Sequence, residues 1–157
     1  MKNDNRAQQK QQLKSLSQAL FQDLKADEHL SLSYSGETSL FMRLNHAKVR
    51  QISEVSQGTL AFNFILGQSH TEVAFSLTGD LNQDLERSFA ILEQCRTECQ
   101  SLPADPFLVL PQTGSSSEED HPGNLPSLDT LSEKLLKPAI GLDLAGIFIS
   151  GTMMRAS

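Results

Sequence analysis

The sequence has no tryptophan, one tyrosine and two cysteines in 157 residues. Two cysteines leave no room for a disulfide-stapled scaffold. Cys95 and Cys99 stand four apart in a stretch that reads as helix, a spacing that suits reduced thiols on one face better than a bridge. Positive charge is also scarce: 13 Lys and Arg face 19 Asp and Glu, for a formal net charge of −6. That balance argues against general attraction to nucleic acid or an anionic membrane, because phosphate recognition needs a concentrated basic surface. A small local basic patch stays open. No apolar run approaches the roughly 20 residues of a membrane-spanning helix, and the start, MKNDNRAQQKQQLK, lacks the apolar stretch of a secretory signal. The expectation is a cytoplasmic protein. Hydrolase and nucleotide-binding signatures are missing too: there is no Gly-x-Ser-x-Gly, no phosphate-cradling glycine loop, no His-Glu-x-x-His and no Cys beside a poised His.

What is present is enough to fold. With 38% hydrophobic and 20% charged residues the chain has the composition of a globular protein, and its length allows one core. From about residue 7 to 25, Leu13, Leu16, Leu20 and Leu24 recur at spacings of three and four, which predicts an amphipathic helix. The period changes to two after His29, where Leu30, Leu32 and Tyr34 alternate with small polar residues. A turn is expected at Gly36-Glu37-Thr38. SLFMRLN predicts a second strand, Asn45-His46-Ala47-Lys48 a turn, and VRQISEVS a third strand, whose Val49 and Val55 point to the core only across a register ambiguity. Beyond Gln57-Gly58, Leu60, Phe62, Phe64 and Leu66 alternate cleanly, and Gly67-Gln68 leads into a strand carrying Val73, Phe75 and Leu77.

Such a meander needs an apolar cover on one face. The segment after Asp80 provides one, with Leu81, Leu85, Phe89, Leu92, Cys99 and Leu102 along one helical stripe. Asp80 and Gln83 form a capping-box pattern, and the helix should end before Pro103. QTGSSSEEDHPGNLP reads as a linker or surface loop. Ser127 caps a short helix that Pro138 ends, and LDLAGIFISG reads as a buried strand with neighbours on both sides. The expected fold class is α+β, an antiparallel meander packed against helices. Its expected layout is an α+β domain over residues 1–110, a flexible linker over 111–126, and a helix and strand over 127–157.

Each polar constellation has a plainer alternative. Cys95 and Cys99 have no second pair of ligands and read as small core residues. His46, with Lys48 and Arg50 nearby, is either a polar finger for a ligand or a solvated hairpin tip. His70 and Glu72 share a strand face, but nothing else converges on them. Asp27, Glu28 and His29 solvate the end of the first helix, Glu118-Glu119-Asp120 a loop, and His121 has no implied partner.

Two stretches carry a resemblance. In RLNHAKVRQISEVSQGTLAFNFILG, residues Asn45, Lys48, Val49, Gln57 and Gly58 resemble the hairpin pattern near the N-terminus of the TldD/PmbA family of zinc metallopeptidases. In LDLAGIFISGTMMRAS, residues Asp143, Leu144, Gly146, Ile147, Ser150, Gly151 and Arg155 resemble the segment joining that family's two portions. The intervening helix and loop are similar to a branch of the family, so the likeness runs from about residue 29 onward. It implies a longer protein, of which this chain is the N-terminal portion and GIFISG an internal strand. The family's C-terminal domain carries a His-Glu-x-x-x-His helix and a further zinc ligand. None of these lies in this chain, so no catalytic or metal position transfers to it.

The resemblance further implies a role in the substrate path and in a dimer interface with a second TldD/PmbA-like subunit, identical or different. Family members include catalytic subunits and partners without the metal motif. The substrate expectation is an extended or unfolded polypeptide. The residues chosen for contact are Arg43, Asn45 and Arg50, since a strand edge with cationic and amide groups can hold an extended chain. The alternatives are a non-catalytic partner subunit and a stand-alone peptide-binding or assembly protein.

Overall fold

The computed structural model describes residues 2–110 and 113–157. Pro111 and Gln112, at the start of the expected linker, lie outside the described residues. The elements run α1 (Lys2–Gln22), β1 (Glu28–Asn45), β2 (Lys48–Leu66), β3 (Ser69–Leu77), α2 (Leu81–Ser101), α3 (Leu128–Leu136), a 3₁₀ turn (Lys137–Ala139) and β4 (Gly146–Ala156). The strands form an open antiparallel sheet in the order β3-β2-β1-β4, an α+β fold as the alternating and helical periods predict. The chain divides into two compact units. One comprises Met1–Gly36, Gln57–Gly114 and Met154–Ser157; the other comprises Glu37–Ser56 and Ser115–Met153.

In the first unit α1 and α2 bring Leu16, Leu20, Leu92, Cys95 and Cys99 onto Leu30, Tyr34, Leu60, Phe62, Phe64 and Phe75. Phe62 and Phe75 meet edge to face with centroids 5.2 Å apart, the arrangement that aromatic quadrupoles favour. β2 and β3 pair from Gly58↔Leu77 to Leu66↔Ser69, leaving Gly67-Gln68 as a two-residue loop. Gly67 has φ 62 at the first loop position, where a side chain would be strained. The start of α2 is tied twice. The Asp80 carboxylate accepts from the Asn82 and Gln83 amides, both at 3.0 Å. The buried Asp84 accepts from the Thr78 amide at 2.7 Å, the Thr78 hydroxyl at 2.9 Å and the Gly79 amide at 3.0 Å. The Asp80 bonds satisfy donors that a helix N-terminus leaves open, and those of Asp84 hold the turn before it. Burial pushes the Cys95 thiol up to about 11 and raises that of Cys99, so both remain protonated packing groups.

The turn expected at Gly36-Glu37-Thr38 is absent, since that stretch lies within β1, and Gln57-Gly58, between two expected strands, lies within β2. The glycines serve the ring of Tyr34 instead. A Cβ on Gly36 would stand 2.3 Å from the Tyr34 hydroxyl oxygen, and one on Gly58 would stand 2.8 Å from it. Glycine is needed at both positions so that a buried ring can lie against bare backbone.

In the second unit Met42, Leu44 and Leu131 are buried, with Leu40, Val49, Leu135, Leu136, Leu144 and Phe148 packed around them. The Ser127 hydroxyl caps α3 by accepting from the Thr130 amide at 3.3 Å, and Pro138 falls in the 3₁₀ turn that follows. β4 departs from its expectation as a strand buried on both sides. It is the last strand in the sheet order. Only one side is packed: Phe148 joins the core, while Ile147 and Ile149 are 65% and 64% exposed. At Gly151 a Cβ would stand 2.6 Å from the Thr38 carbonyl oxygen, so this glycine permits close backbone approach.

Candidate functional site

The hairpin joining β1 to β2 positions all three residues expected to contact a polypeptide. Its two loop residues, His46 and Ala47, have φ 50 and 52. Two successive left-handed residues define the type I′ geometry whose twist matches the flanking strands. Neither residue is the glycine or asparagine that tolerates this conformation best, so the turn needs outside support. It has two such ties. The Ala47 amide donates to the Leu144 carbonyl at 3.0 Å, and His46 Nδ1 lies 2.8 Å from Asp143 Oδ1. Both Asp143 and Leu144 come from the loop before β4.

A two-residue loop sets Asn45 opposite Lys48. Counting back along the strands places Leu44 opposite Val49, Arg43 opposite Arg50, and Phe41 opposite Ile52. Burial agrees with this register, because Leu44 and Val49 share one core cluster while Arg43 and Arg50 are both exposed on the other face. The ladder slips further along. Thr38 would face Val55 in this register, yet its hydroxyl meets that of Ser56 at 3.3 Å. One extra residue therefore sits in β2 before Ser56, a β-bulge.

The face away from the Met42 core thus carries three rows in sequence: Asn45 with Lys48, Arg43 with Arg50, and Phe41 with Ile52. Ile52 is 44% exposed. Among the described residues Arg43, Lys48 and Arg50 have no ion-pair partner. The pairing with β3 stops at Gly58, so the Lys48–Ser56 stretch of β2 has no β3 partner on the side away from β1. The edge on which the polypeptide expectation depends therefore exists for Arg50, whereas Arg43 and Asn45 lie on a strand between two others.

The remaining polar constellations do not converge. His70 Nδ1 lies 4.0 Å from Asp105 Oδ2, while Glu72, directly opposite Asn63, accepts from its side-chain amide at 3.3 Å. His121 meets Glu119 at 3.2 Å, in an exposed segment. Glu28 does not solvate a helix end as expected. It is buried and holds Arg96 through two bonds, from Nε at 2.9 Å and Nη2 at 2.8 Å. Among the described residues no group of three or more His, Cys, Asp or Glu side chains is placed to hold a metal ion. The sequence reading missed Asp143 as the partner of His46 and the facing of Arg43 by Arg50. Counting outward from a two-residue turn would have found the second; the first joins residues 97 apart and left no local signal.

These features define an α+β module that presents a basic hairpin face. No protein-family model matches the chain, and no curated protein matches it. Among solved structures, the crystal structure of TldE from Thermococcus kodakarensis is similar, with a TM-score of 0.54 at 15% identity. The likeness covers 82% of this chain and 34% of that one, so this chain spans about a third of the other's length. At such identity the likeness is one of fold.

Proposed function

We propose that this chain is the N-terminal portion of a TldD/PmbA-like protein, a distant relative within a family of metallopeptidases. In this reading it lines the path of an extended polypeptide and contributes to a dimer interface. Zinc and water activation belong to residues outside the chain. The observation that carries the reading is the fold likeness to TldE over 82% of this chain. It is supported by the sequence resemblance at the hairpin and at the segment from Asp143 to Arg155, two places that the structure holds together through the Ala47–Leu144 bond. Arg43, Asn45 and Arg50 are the proposed polypeptide contacts, and the free edge of β2 supplies main-chain donors and acceptors for them to work beside. The acidic balance of the chain gives no support to direct contact with DNA.

The coding sequence beyond Ser157 tests this reading. A long open frame containing His-Glu-x-x-x-His is the expected result for a catalytic member, and a long frame without it for a metal-free partner. An immediate stop codon would instead leave a stand-alone binding protein.

A further inference from the structure

Building on the proposed polypeptide contact, we infer that Arg43 and Arg50 form a two-guanidinium clamp for an acidic side chain, and that the segment bound carries an apolar residue two positions from the acidic one. Like charges directly opposite one another on paired strands destabilise a sheet. This pair stands uncompensated: among the described residues neither guanidinium has an ion-pair partner. Glu54, on the far side of Ile52, has none either, and Asp143 is held by His46 at 2.8 Å. Two exposed forks side by side suit one carboxylate, which accepts parallel bonds from planar guanidinium groups. Lys48 and the amide of Asn45 flank the clamp on one side, while Phe41 and Ile52 make an apolar row on the other. The chain as a whole is acidic, so attraction of a carboxylate to this spot has a local origin and is open to screening.

The free edge of β2 fixes the spacing. An extended peptide adding to Lys48–Ser56 presents alternate side chains on the face that bears Arg50 and Ile52. An acidic residue beside Arg50 therefore brings the residue two positions away beside Ile52, whose exposed surface favours an apolar group there.

The test measures binding of fluorescent, end-blocked peptides to the 157-residue chain by anisotropy. One peptide contains Leu-Thr-Glu-Thr-Leu, which serves either strand direction, a second contains Leu-Thr-Gln-Thr-Leu, and a third is the Gln peptide with a free C-terminal carboxylate. The Glu peptide is expected to bind about tenfold or more tightly than its blocked Gln twin, as a charge-assisted bond requires. That preference should vanish at about 1 M salt and in the R43Q/R50Q double variant, whose unchanged circular dichroism and undiminished urea midpoint confirm folding. The R43K/R50K variant, which keeps the charge and loses the forks, should retain only part of it. Equal binding of the two blocked peptides overturns the clamp and leaves the polypeptide-contact reading standing. Tightest binding by the free-carboxylate peptide overturns the side-chain assignment in favour of a chain terminus. If no peptide binds the folded chain, the clamp and the contact reading fail together.

Discussion

Replacing Arg96 by alanine is expected to lower the unfolding free energy by about 3–5 kcal/mol, seen as a shift of the urea midpoint. The Arg96 side chain is 6% exposed and that of Glu28 is 3% exposed. Removing the guanidinium strands a buried carboxylate whose one other bond among the described residues comes from the Lys25 amide at 2.9 Å. Arg96 also donates to Asp23 through its side chain at 2.9 Å and its carbonyl at 2.8 Å, and to Glu93 at 2.6 Å. Those carboxylates are 46% and 64% exposed and add little, because water screens them. The cluster ties Arg96 of α2 to the turn between α1 and β1, which lies 68 to 73 residues earlier in the chain. Replacing Arg96 and Glu28 together by apolar residues should cost much less than R96A alone, since no buried charge is then left unpaired.

The same pair sets an acid limit. The bonds from Arg96 hold the Glu28 carboxyl below its ordinary value of 4.5, against the opposing effect of burial. A carboxyl depressed in the folded state contributes stability in full above its unfolded value. That contribution is lost as pH falls below 4.5 through the lower folded value. The native protein should therefore lose stability on acidification over this window. R96A should lose less, because its Glu28 no longer favours the charged form.

The second large effect concerns Tyr34. Tyr34→Ala should destabilise by about 3–5 kcal/mol as a buried aromatic truncation, and Gly36→Ala by about 1–3 kcal/mol as overpacking. The two are not independent. The new methyl at residue 36 would sit 2.3 Å from the Tyr34 hydroxyl oxygen and 2.7 Å from the ring carbon that bears it. With the ring removed that conflict disappears, so Gly36→Ala in the Tyr34→Ala background should cost close to nothing. A double-mutant cycle by urea denaturation measures the difference. Additive costs would mean that Gly36 is small for a reason unrelated to Tyr34.

This pair also explains where the sequence was misleading. Both helix caps were legible, at Asp80 and Ser127, because a cap is a local signal of side chain to nearby amide. Strand alternation around Leu60, Phe62 and Phe64 was legible for the same reason. Gly36 and Gly58 were not, because glycine marks a turn and a close contact with the same letter, and the decisive neighbour was a ring two residues away or across the sheet. The register ambiguity between Val49 and Val55 had a physical source in the bulge that precedes Ser56. For β4, a continuous apolar run reads as burial on both faces, yet its alternate side chains Ile147 and Ile149 remain exposed. The hairpin residues Arg43, Asn45 and Arg50 were chosen from type and likeness to a family. Their mutual placement required the I′ turn, which His46 and Ala47 adopt without the residues that usually announce it.

The proposed division of labour is that this chain guides a polypeptide while metal chemistry resides elsewhere. The most direct measurement incubates the purified 157-residue chain with an unfolded polypeptide and zinc, with and without a chelator, and follows cleavage by mass spectrometry. The predicted result is an intact polypeptide under both conditions. Cleavage that appears with zinc and stops with the chelator would contradict it.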